Sequence, residues 1–137
     1  MEPKIISGGF HSDARGILLY NNSFNASQIK RFYLIENIDT AIVRAWQGHR
    51  IEQRWFSAIL GSFKIKLVAI SNWENPSKSG EIITFILDSN NLDILHVPNG
   101  YVSSIQALYV GSRLLVLADH SLNEICDEFR FPFDYFN

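Results

Sequence analysis

The stretch VRAWQGHRIEQRWF, residues 43–56, lies between two apolar runs and carries Gln47, His49, Glu52 and Arg54 close together. From Ile42 onward the chain continues as short alternating runs separated by turn residues, the spacing of sandwiches and barrels. In FKIKLVAI, residues 63–70, Phe63, Ile65, Leu67 and Ala69 share one face and Lys64 and Lys66 the other. SNWENPSKSG interrupts that strand and EIITFIL resumes as another. DSNN turns the chain before LDILHV, PNG turns it before YVSSIQALYV, and GS precedes RLLVLAD. A mainly β fold of closely spaced antiparallel strands follows. Ser121 and Glu124 fit a capping box, which allows one short helix over residues 122–128.

The bulk composition narrows the class. The 137 residues suffice for one domain, residues 1–137, and 47% hydrophobic content with eight Gly and four Pro argues against a disordered chain or a flexible linker. Basic residues are scattered and the net charge is −2, which removes the electrostatic footprint of a nucleic-acid or anionic-membrane binder. No run approaches the ~18 apolar residues that span a bilayer. Cys126 is the sole cysteine, and MEPKIISGGF has no apolar segment of signal-peptide length, so a soluble cytoplasmic protein is expected. The tail FRFPFDYFN carries more aromatics than a free terminus exposes, so it should pack on this chain or on a second subunit.

Residues 43–61 resemble the metal-binding frame of cupins, the double-stranded β-helix jelly rolls: His-x-His, then Glu, then a further His after a Pro-x-Gly turn. Counting back across six intervening residues from Gly61 puts Arg54 at the Glu position. Gln47 takes the first His position, His49 the second, and Ser103, after Pro98 and Gly100, the last. One ligand of four remains, and a permanently cationic Arg opposes a cation in the same pocket. No metal is expected there. The same four positions instead offer an amide, an imidazole, a guanidinium and a hydroxyl, a set suited to a polar or anionic organic ligand. A buried Arg54 needs a carboxylate such as Glu52, a ligand phosphate or solvent.

Four segments in order resemble the sugar-nucleotide branch of the cupins. FHSDARGILL (residues 10–19) is similar to the opening motif of the dTDP-4-keto-6-deoxyhexose 3,5-epimerases, and RFYLIENI precedes the key strand as in the 3,4-ketoisomerases of the FdtA/WxcM-like family. VRAWQGHR resembles the ketoisomerase pattern Arg-Gly-x-His-Ala-His-Lys, and LHVPNGYVSSIQAL the later Pro-x-Gly-aromatic segment. The resemblance implies a homodimeric cupin that needs no cofactor and shifts a proton between carbons flanking a ketone, through an enediol. It assigns His49 as proton carrier, Arg44 as the family arginine, and Tyr101 as the aromatic after the turn. Gln47, Arg54, Ser103 and Tyr33 would hold the substrate, while Arg15 would hold the nucleotide, often from the neighbouring subunit. Tyr33 and Trp46 are candidates for stacking on a base or sugar, although aromatic strand residues more often belong to the core.

Departures from the pattern matter. Gln47 cannot accept and return a proton, and residues 113–122 lack the late-strand tyrosine of the epimerases, so the ketoisomerase branch is nearer. Strict alternation puts Arg44 on the face opposite Gln47 and His49 unless the strand is bulged. A second reading is a non-catalytic cupin that binds a sugar nucleotide or related anion through Gln47, Arg54 and Tyr101. A third is a structural partner of another sugar-pathway enzyme.

Overall fold

The computed structural model describes residues 1–136. Twelve strands follow in order: β1 (Lys4–Ile6), β2 (Gly9–Asp13), β3 (Gly16–Tyr20), β4 (Arg31–Ile35), β5 (Val43–His49), β6 (Arg54–Leu60), β7 (Ser62–Ala69), β8 (Ile83–Asp88), β9 (Ile94–Val97), β10 (Tyr101–Ala107), β11 (Arg113–Ala118) and β12 (Phe129–Arg130). One sheet has the order β1-β9-β6-β11-β4, a second β12-β5-β10-β7-β8, and β2 and β3 form a separate hairpin. Every pairing is antiparallel. The architecture is the jelly roll expected from the sequence. No helix among the described residues is long and apolar enough to cross a membrane.

Alternation builds the core as read, except at Ala69, which ends β7 exposed. Phe63, Ile65 and Leu67 of β7 are fully buried and meet Phe56, Leu95, Leu114 and Val116 between the two sheets. Val68 points the other way, into a second cluster with Trp46, Val102 and Phe136. The aromatic tail covers this outer face of its own chain: Trp46 Nε1 donates to the Phe133 carbonyl at 3.0 Å, and Tyr135 Oη to that of Pro76 at 2.6 Å. Trp46, 3% exposed and edge-on to Phe136, is thereby removed from any ligand-stacking role. The hydrophobic effect of burying it outweighs any value as a ligand platform.

The short helix over residues 122–128 does not form. Glu124 accepts from the Ser121 backbone N–H at 3.0 Å, so half of the capping box is present. Asn123, however, sits at φ 62°, in the left-handed region, and a right-handed helix cannot propagate through it. The chain turns there and then runs out as β12.

β12 is short but consequential, since it pairs Phe129 with Gly48 and Arg130 with Gln47 at the far edge of β5. Gly48 makes this close packing possible. A Cβ at that position would lie 2.4 Å from Val102 Cγ1 and 2.8 Å from the Tyr101 carbonyl oxygen. The only residue type that fits between Gln47 and His49 is therefore one with no side chain.

Candidate functional site

Alternation along four strands aims one set of side chains into the space between the sheets. Gln47 and His49 of β5, Arg54 and Phe56 of β6, Ser103 and Ile105 of β10, and Tyr33 and Ile35 of β4 line a cavity of about 350 Å³. Arg44 lines it too. Its parity is wrong for a regular strand, and the pairing explains how it gets there: Ser103 faces Gln47 while Ile105 faces Arg44, so β5 carries one residue more than β10 over this interval. The bulge turns Arg44 to the inner face. Its Nε donates to Asn37 Oδ1 at 2.7 Å, which holds the guanidinium at the cavity wall.

Six of the eight residues singled out from the sequence thus meet in one cavity. Tyr101 does not line it. The ring packs against the main core and borders a small adjoining recess with Glu52 and Pro98, and its burial raises the phenol above its ordinary pKa. Arg15 lies elsewhere, on the β2–β3 hairpin, where it bonds Asp13 at 2.7 Å and lines a separate surface hollow.

The base of the cavity is an ion-paired cluster. Arg54, 6% exposed, donates through Nη1 to Glu52 Oε1, and Arg31 approaches the same oxygen at 3.5 Å. Burial lowers Arg54 from its ordinary pKa, an effect partly opposed by its contact with Tyr33. The requirement that a buried Arg54 find a carboxylate is therefore met by Glu52. Arg31 also lies over the Tyr33 ring, 5.5 Å from its centroid, so Tyr33 is braced from below.

His49 is positioned by the segment leading into β12. Its Nδ1 lies 3.1 Å from the Asp127 carbonyl oxygen, which can only accept. The neutral ring therefore carries its proton on Nδ1 and its lone pair on Nε2. The Asp127 carboxylate meanwhile accepts from the backbone N–H groups of Arg50, Ile51 and Glu52 at 2.8–2.9 Å, which closes the turn between β5 and β6. Next to it, Glu128 accepts a hydrogen bond from Gln47 Nε2 and an ion pair from Arg130 at 3.0 Å. Asp127 and Glu128 escaped the sequence reading because they join the site from 78 and 81 residues away through a two-residue strand, too short for any periodicity.

Burial and the positive charge of Arg54 push His49 down to about 4, against the opposing pull of the Asp127 carbonyl and of the Asp127 and Glu128 carboxylates. Its native pKa thus falls below the unfolded value of about 6.5. The unfolded chain binds more protons between these values, so stability falls as pH drops through this window and levels off below it. Urea midpoints from pH 7.5 to 4 should show that slope, and His49→Asn should flatten it; an equal slope in the variant assigns the effect to other groups.

His49, Glu52 and Asp127 place three potential ligand atoms within 4.8 Å of one another. The donor set does not suit a divalent cation. Both Asp127 oxygens are taken by backbone N–H groups and Glu52 by two arginines. Behind the site, His120 Nδ1 bonds Asp119 Oδ1 at 2.9 Å, Asp119 accepts from Gln53, and Gln53 Oε1 meets His96 Nε2 at 2.7 Å. This chain of contacts fixes the entry to β6 and borders none of the cavity.

Known proteins share the architecture. A 3,4-ketoisomerase, QdtA, from Thermoanaerobacterium thermosaccharolyticum in complex with TDP-4-keto-6-deoxyglucose superposes with a TM-score of 0.74 at 23% identity, covering 98% of this chain and 91% of that one. The WlaRB TDP-quinovose 3,4-ketoisomerase from Campylobacter jejuni gives 0.68 at 22% identity, over 97% and 95%. A dTDP-4-dehydrorhamnose 3,5-epimerase from Bacillus anthracis gives 0.71 at 14% identity, over 87% and 73%. At these identities the likeness speaks for the fold. A search of curated proteins gave no match. The family model described as FdtA, WxcM-like, C-terminal matches residues 1–131, nearly the whole chain, and the protein belongs to that family.

Proposed function

We propose that the protein is a cytoplasmic, metal-independent isomerase of a nucleotide-linked 4-keto-6-deoxy sugar, working by enolisation with His49 as the proton carrier. The observation that carries this reading is His49 itself: a neutral imidazole held by Nδ1, with the Nε2 lone pair available, in a cavity it shares with Arg44 and Arg54. In a 3,4-ketoisomerisation the Nε2 lone pair takes the proton on the carbon beside the ketone. The electrons move to the carbonyl oxygen and leave an enediolate, which the arginines stabilise. Protonation of the former carbonyl carbon by the imidazolium, with transfer of the hydroxyl proton between the two oxygens, completes the exchange. A nucleotide diphosphate brings negative charge that offsets Arg54 and raises His49 from about 4 toward the range useful to a base.

The homodimer belongs to the same proposal. Phe10, Ile17 and Leu18 on the hairpin are 55–63% exposed, and Phe32 and Leu34 on the edge strand β4 are 71% and 52% exposed. A lone two-stranded hairpin is marginal in water, and these apolar side chains suit a second copy. In that arrangement Arg15 reaches toward the partner's site to hold nucleotide, which gives it the role its own protomer does not.

Gln47 favours a second reading, a cupin that binds the sugar nucleotide without turning it over, since an amide cannot carry a proton. Incubation with a dTDP-4-keto-6-deoxyhexose in deuterated water separates the two. The isomerase incorporates deuterium at the carbon beside the ketone; binding of dTDP without deuterium uptake makes the protein a binder.

A further inference from the structure

Glu128 is the site's unassigned charge. It lies on the strand-leading segment beside β5, borders a second cavity of about 130 Å³ that shares His49 and Arg54 with the main one, and takes the hydrogen bond from Gln47 Nε2. We propose that Glu128 is a positioning residue that locks the Gln47 carboxamide with its oxygen toward the cavity, so that the site selects a sugar hydroxyl as hydrogen-bond donor at this point. The inference rests on the nucleotide-sugar reading and adds a specificity determinant to it.

An amide has one acceptor end and one donor end, and the two differ little in shape. Left alone, Gln47 would present either to a ligand. An ionised carboxylate only accepts, so the Gln47 N–H must face Glu128, and a half-turn of the amide would set its oxygen against a negative charge. Arg130 pairs with the same carboxylate at 3.0 Å from the outer side, at an exposed position. The Gln47 backbone is pinned as well, between Ser103 on β10 and Arg130 on β12. The end of the amide turned away from Glu128 is Oε1, an acceptor. A ketone oxygen has no hydrogen to offer it, whereas a ring hydroxyl has. The ketone is thereby directed to the arginines and a hydroxyl to Gln47, which orients the sugar relative to His49 Nε2.

The test compares binding of dTDP, a dTDP-6-deoxyhexose, and its analogues with the C2 or the C3 hydroxyl replaced by fluorine, which cannot donate. With the native protein one of the two analogues should bind about fivefold more weakly than the parent sugar nucleotide, the scale of one lost hydrogen bond to a half-buried acceptor. In Glu128→Ala that ratio should shrink to about twofold with dTDP affinity unchanged, and Glu128→Gln, whose amide donates as readily as it accepts and so no longer dictates the orientation of Gln47, should shrink it as well. In a Gln47→Leu background, Glu128→Ala should add nothing, because the two act as a unit. If native protein binds dTDP and neither analogue is penalised, or if Glu128→Ala leaves the ratio intact or weakens dTDP equally, the lock is wrong while the nucleotide-sugar reading stands. Failure of the native protein to bind dTDP or the sugar nucleotide overturns both.

Discussion

His49→Asn is expected to lower deuterium exchange beside the substrate ketone by about 10²- to 10⁴-fold, the loss of a positioned general base. The variant is chosen so that the fold survives it. Asparagine can place an N–H where Nδ1 now meets the Asp127 carbonyl at 3.1 Å, preserving the anchor between β5 and the segment before β12. What it lacks is a basic lone pair. Affinity for dTDP should therefore stay within about threefold, since uniform binding is separable from the chemical step. Exchange at the native rate in His49→Asn would remove the imidazole from the mechanism.

The largest stability effect is expected at Glu52. Its carboxylate is the shared anion of Arg54 and Arg31, and the side chains of Glu52 and Arg54 are each 8% exposed. Glu52→Leu leaves a guanidinium buried beside another without its ion-pair partner, a change that costs about 3–5 kcal/mol when a buried pair is broken from one side. Urea unfolding at pH 7 measures it, with the fall in midpoint at constant slope as the readout. The double variant Glu52→Leu, Arg54→Met should be more stable than Glu52→Leu alone, because it removes the stranded charge along with its partner. A loss below about 1 kcal/mol in Glu52→Leu would mean that water reaches Arg54 and the pair behaves as a surface one.

The parts of the molecule legible in the sequence are those where one strand carries the whole signal. Phe63, Ile65 and Leu67 declared a buried face by alternation alone, and they are fully buried. Counting back from Gly61 for Arg54, His49 and Gln47, and on from the Pro98–Gly100 turn for Ser103, brought the four to one cavity because strand period and turn length are both rigid quantities. Where two strands or two distant segments decide together, the sequence left the outcome open. Arg44 faces inward only because β5 bulges against β10, a property of the pair. Ser121 and Glu124 form their contact, but the backbone at Asn123 takes a left-handed turn that no spacing rule registers. The hairpin β2–β3 was also missed as an element: most of its residues are exposed on both sides, so no inside and outside alternate along it.

The late segment at Asp127 and Glu128 gives the chain a timetable. On the ribosome β5 is made long before its anchor: about eighty residues separate His49 from Asp127 and Gln47 from Glu128. Until the later segment emerges and folds back, the turn after β5 lacks the carboxylate that ties three of its amides, and the imidazole lacks the carbonyl that sets its tautomer. A nascent chain thus carries β5 before the contacts that orient His49 and Gln47 exist, so the geometry proposed for the base depends on a segment about eighty residues downstream.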